Sequence, residues 1–63
     1  MGELTRNESL IAYLVMTGIS NAEIGDRIGY HRRYIGRLLT IIFRKTGARN
    51  RTELAVMAWE AMG

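Results

Sequence analysis

Three times in this 63-residue chain a residue with a short polar side chain stands three positions ahead of a glutamate. Thr5-x-x-Glu8 and Ser20-x-x-Glu23 have the form of capping boxes, and Asn50-x-x-Glu53 is a close variant. In such a box the first side chain accepts from an orphan amide of the opening helical turn while the glutamate reaches back to the cap. Gly18, Gly29 and Gly47 stand where the helices so begun would end, each able to take the left-handed backbone of a helix stop. These marks predict helices near 6–17, 21–28, 32–46 and 51–62. Four short helices joined by tight turns leave no room for a sheet. The expected fold class is therefore all-α, a single domain over residues 1–63.

Apolar spacing agrees with this division. Ile11, Leu14 and Val15 share one face of the first helix, and Ile24 and Ile28 one face of the second. In the third, Ile35, Leu38, Leu39 and Ile42 form the expected buried stripe. A chain this short buries only about 60% of its unfolded surface, and small domains often add a disulfide or a metal. This one has no cysteine and a single histidine, His31, which excludes disulfides and Cys/His zinc sites. Tight helix packing and dimerisation remain as sources of stability.

The longest apolar run, Leu10 to Met16, is too short to span a membrane. Glu3, Arg6 and Glu8 before it exclude a signal peptide, and Arg6 stands where a myristoylation start at Met1-Gly2 would need Ser or Thr. A soluble, cytoplasmic protein without a membrane partner is the expectation, and Met1 points to a complete chain rather than an excised piece.

Charge is distributed very unevenly. Residues 1–26 carry net −3, residues 27–51 net +8 with no acidic residue, and residues 52–63 net −2. A 25-residue block of eight cations and no anion is an electrostatic footprint for a polyanion, although a solvated basic face has the same composition.

Residues 21–40 have the layout of a helix-turn-helix. Ile24 and Ile28 pack inward from its first helix, Gly25 supplies a small residue where two helix backbones cross closely, Gly29 opens the turn, and Ile35 and Leu38 anchor the second helix. At 100° per residue, Arg33, Arg37, Thr40 and Arg44 fall opposite the core stripe as one outward ridge. Arginine can bond guanine bidentately and also pairs phosphate, so the ridge suits insertion into the DNA major groove. Arg32 lies off the ridge and Lys45 near the helix end, where both suit phosphate contacts. An ordinary solvated face would mix both signs of charge, and this one does not.

Leu4-Thr5, Glu8, Gly18-Ile19-Ser20-Asn21, Glu23-Ile24, Lys45-x-Gly47 and Arg51-Thr52-Glu53-Leu54-Ala55 together resemble the LuxR/NarL-type helix-turn-helix family, which includes stand-alone GerE-like regulators. The resemblance covers residues 4–58. It implies a four-helix domain whose third helix reads DNA, whose fourth commonly dimerises, and whose members activate or repress transcription. It also implies that Asn21 lies near the phosphate backbone and that Arg37 and Thr40 face the groove. Where the family's third helix runs Ser-x-x-Thr-Val-Lys-x-His, this chain has His31, Tyr34, Ile35, Gly36 and Leu38. His31 is expected to cap poorly and let the helix start fray. Tyr34 can offer a hydroxyl to phosphate in place of threonine. Gly36 replaces the lysine and lowers helix propensity by about 1 kcal/mol. It either admits a close backbone approach or marks a tolerated exposed site.

The last helix, 51–62, is apolar nearly all round. Leu54, Ala58 and Ala61, with Met57 beside them, make its expected inner face, while Val56 and Trp59 project from the other side. Trp59 could fold over a core edge, but two large apolar groups on one outward face suit an interface. Homodimerisation through this helix would set two recognition helices about 34 Å apart on a two-fold related site.

No catalytic constellation is visible: the carboxylates are dispersed, the histidine is single, and no phosphate-loop glycine pattern is present. The chain thus reads as a non-enzymatic, cofactor-free, sequence-specific transcriptional regulator that binds double-stranded DNA, with RNA polymerase or a larger regulator as possible further partners. The alternative is a protein-interaction module of the same fold that captures or blocks a larger regulator through its fourth helix.

Overall fold

The computed structural model describes residues 3–62, so Met1, Gly2 and Gly63, including the Met1-Gly2 start considered above, lie outside the described residues. Four helices follow one another: α1 Arg6–Met16, α2 Asn21–Ile28, α3 Arg32–Thr46 and α4 Arg51–Met62. They coincide with the expected spans except that α1 stops one residue early. There Thr17 turns its hydroxyl onto the Leu14 carbonyl at 2.6 Å and ends the helix.

The caps explain the boundaries. At α1 the box is complete: the Glu8 amide donates to Thr5 Oγ1 at 3.1 Å and the Thr5 amide donates to Glu8 Oε1 at 2.9 Å. At α2 only half of the box forms. The Glu23 amide donates to Ser20 Oγ, while the Glu23 carboxylate turns along the helix to Arg27 at 3.1 Å. At α4 the Glu53 amide donates to Asn50 Oδ1 at 2.8 Å, but the return bond comes from the Arg49 amide, one residue before the cap. His31 corrects the expectation of a frayed start, because its Nδ1 accepts from the Arg33 amide at 3.1 Å and so caps α3. An imidazole nitrogen without its proton can fill the role of the missing serine hydroxyl.

α1 packs most extensively on α4, and α2 on α3, with α1 also crossing α3. The core sits where these contacts meet. Ile11, Ile24, Ile35, Ile42 and Leu54 are fully enclosed, with Ala12, Leu14, Val15, Leu39 and Ala48 around them. Each large aliphatic side chain so enclosed contributes about 1.5–3 kcal/mol relative to exposure. Leu38 and Ile28, expected within the core, are only half-buried. On α3 the centre of the stripe is held by Ile35, Leu39 and Ile42, and Leu38 falls to its edge, about 70° away. Ala61 lies on the Leu54 side of α4 as expected, but it is exposed, because it lines an open apolar groove with Leu4, Ala12 and Ala58.

Two glycines fix the turn between α2 and α3. Gly29 adopts φ 85°, and both its amide and that of Tyr30 donate to the Gly25 carbonyl, at 2.8 and 2.9 Å. A side chain there would be strained in that conformation. Gly25 answers a close backbone approach, as expected: a Cβ on it would collide with the carbonyl of Tyr30 in the turn and lie against the first amide of α3, that of Arg32, at 3.4 Å. One buried carboxylate joins α1 to α3. Glu8, only 5% exposed, accepts from Lys45 Nζ at 2.8 Å. The Lys45 hydrogen bond, followed by the Thr5 amide, holds the Glu8 carboxyl below the usual glutamate range.

Candidate nucleic-acid interface

The packing of Ile35, Leu39 and Ile42 against α1 and α2 decides which side of α3 meets solvent. Arg33, Arg37, Thr40 and Arg44 are all exposed on that outward side, as are Arg32 and Tyr34 on its flanks. From Arg33 to Arg44 the ridge runs about 16 Å along the helix axis. A B-form major groove, about 12 Å wide, admits such a helix.

The cations of the basic block separate into two groups. Arg27 pairs with Glu23, Lys45 with Glu8, and Arg49 with Glu53. Arg51 donates through Nη1 to Asn21 Oδ1 at 2.7 Å and through Nη2 to the Ile19 carbonyl at 2.8 Å. These four are engaged with the protein itself. Among the described residues Arg32, Arg33, Arg37 and Arg44 form no ion pair. All four unpaired cations of the block lie on α3. An uncompensated cluster of guanidinium groups on one helix repels itself and is relieved by an external anion.

Two of the expected contact residues are thus partly committed elsewhere. Lys45 is half-buried and directed at Glu8, which ties the end of α3 to the start of α1. Asn21 is also half-buried, its oxygen taken by Arg51 and its amide hydrogens left as donors at the start of α2. Thr40 is exposed, but its hydroxyl donates to the Gly36 carbonyl at 3.2 Å. Tyr34 stands edge-on to Tyr30, with ring centres 5.0 Å apart, and the Tyr30 hydroxyl accepts from Asn7 Nδ2 at 3.3 Å. This links the turn to α1. A Cβ at Gly36 would meet open space.

Arg51, part of the motif that carries the family resemblance but given no role by it, joins the first residue of α4 to the first of α2. A signal was present: a cation in the first turn opposes the helix dipole, so a specific partner is the natural reason for it. Helical spacing assigns Ile41 to neither the core stripe nor the outward ridge. It is an exposed aliphatic side chain on α3, outside the core stripe.

On α4, Val56 is 51% and Trp59 70% exposed, on the side away from the buried Leu54. Among the described residues no helix is long and apolar enough to cross a membrane. No curated protein and no solved structure matches the chain. The profile of the LuxR family of bacterial regulatory proteins, GerE, matches residues 2–58. With its four helices and the turn between α2 and α3, the chain belongs to that family of DNA-binding helix-turn-helix regulators.

Proposed function

We propose that this chain is a sequence-specific transcriptional regulator that seats α3 in the major groove of double-stranded DNA. The observation that carries the reading is the sorting of cations. The four that protein carboxylates and carbonyls do not engage are Arg32, Arg33, Arg37 and Arg44, all on one exposed helix. In this reading Arg33, Arg37, Thr40 and Arg44 enter the groove. Arg32, Tyr34 and the amide hydrogens of Asn21 approach phosphates, and Lys45 stands behind the helix end. His31 and Gly29 contribute by fixing where α3 begins, and hence its angle of entry.

α4 supplies the second half of the proposal. Val56 and Trp59 pair with the same residues of a second copy, so that two α3 helices meet a two-fold related site about one duplex turn apart. Their exposure supports an interface, and self-association needs only the one surface. Capture of a larger regulator would use the same residues without DNA.

Fluorescence-anisotropy titration of a random-sequence duplex at several salt concentrations tests the reading. The expected result is log affinity falling linearly with log salt, with a slope of about −0.9 for each phosphate contacted. A folded protein that binds no duplex even at low salt would sink the regulator reading and turn the search to a protein partner for α4.

A further inference from the structure

The aliphatic residues of α3 divide unequally. Ile35, Leu39 and Ile42 are buried and Leu38 packs against them, whereas Ile41 is 40% exposed and has no place in the core. The fold gains less from isoleucine there than at the enclosed positions, since a β-branched side chain is a mediocre helix former and much of its apolar surface is left to water. Its position is specific, however. Ile41 lies four residues after Arg37 and three before Arg44, so the three side chains border one patch of helix surface. Thr40 completes the patch with an apolar group. Because its hydroxyl hydrogen is donated back to the Gly36 carbonyl, Thr40 can meet a ligand through its methyl or as an acceptor, but not as a donor.

An apolar contact set between guanidinium groups matches one feature of the major groove. Thymine alone among the four common bases presents a C5 methyl there, and arginine's bidentate partner, guanine, presents N7 and O6. We infer that Ile41, flanked by the Thr40 methyl, is a specificity-determining residue that selects a thymine next to a base read by Arg37 or Arg44. This rests on the DNA-reading function proposed above and adds to it the chemistry of one base in the site.

Replacing single thymines by deoxyuridine tests the inference, because it removes the C5 methyl and leaves the Watson–Crick edge unchanged. Selection from a random duplex library with the wild-type chain supplies the preferred site, and each thymine in it is then replaced in turn. At one position per half-site the wild type should bind about fourfold more weakly, the transfer value of one methyl-sized group. Ile41→Ala, its fold checked by thermal melting, should be indifferent to that same replacement. A wild type that binds its site with no sensitivity at any thymine, or selects a site lacking thymine, overturns the inference and leaves the DNA-reading proposal standing. Sensitivity that persists undiminished in Ile41→Ala assigns the methyl to another side chain and overturns it as well. Failure of the wild type to bind any duplex overturns both.

Discussion

α3 and α4 are of comparable length, fifteen and twelve residues, and use their apolar side chains in opposite ways. In α3 the two sides are distinct: Ile35, Leu39 and Ile42 face the core, and the arginines face out. In α4 apolar groups surround the helix, Leu54 is the single buried residue, and Val56, Trp59 and Met62 lie in solvent. A helix with one apolar stripe is fully satisfied by one core. A helix with apolar groups on two sides holds more than the monomer's core can cover, and its outer side is suited to a partner. α3 therefore presents charge to solvent and α4 presents apolar surface, which the proposed function assigns to DNA and to a second copy of the chain.

Leu54→Ala strikes the comparison hardest. Because it removes the one enclosed side chain of α4, it should lower stability by about 2–5 kcal/mol, read by urea denaturation. A loss under 1 kcal/mol would mean that α4 is held mainly by the Arg51 bonds. Trp59→Ala should leave the monomer's stability nearly unchanged and weaken self-association about 30-fold, the size of an interface hot spot, as read by sedimentation equilibrium. A wild type that stays monomeric at high concentration would remove self-association from the account of α4. On α3, Gly36→Ala should stabilise the domain by about 0.5–1 kcal/mol, since the added methyl meets open space within a helix. Destabilisation would show that the glycine serves the fold itself.

The smallest effect concerns acid. Glu8 is held below the usual glutamate range chiefly by Lys45, and Glu53 chiefly by the Arg49 amide. A folded-state carboxyl with a depressed pKa contributes stability that is present above the unfolded value and lost as pH falls through the folded one. Thermal melts should therefore hold steady near neutrality and decline as pH drops below about 4.5, the ordinary glutamate value. Glu8→Gln should flatten part of that decline. An unchanged profile would place the linkage elsewhere.

How much the sequence disclosed differs along the same lines. Helix boundaries were legible because caps are local: Thr5, Ser20, Asn50 and the glycines act on amides within a few residues of themselves. The outward ridge was legible because α3 has one apolar stripe, so helical geometry alone determines what lies opposite. Leu38 sits at the edge of the stripe because its angle is about 70° from the centre, and Ala61 is exposed on the inner face because periodicity gives an angle and not how closely the neighbouring helix covers it. Contacts across the fold were hidden. Glu8 was visible as a cap but not as the partner of Lys45, 37 residues away, and the Arg51–Asn21 bond spans 30 residues. Within the basic block the Arg27–Glu23 and Arg49–Glu53 pairs are i,i+4 neighbours open to a reading of spacing, whereas Lys45 and Arg51 are engaged only through tertiary contacts.

Salt dependence of DNA binding, measured on single arginine variants, separates the unpaired arginines of α3 from the engaged cations. Arg33→Ala or Arg37→Ala should weaken binding at every salt concentration. Any of the unpaired arginines that meets a phosphate should, when removed, make the slope of log affinity against log salt shallower by about 0.9. Arg49→Ala, which removes a cation already paired with Glu53, should leave affinity and slope near the wild-type values. Equal losses from Arg37→Ala and Arg49→Ala would contradict the account, because binding would then follow the total charge of the block and not the face of α3.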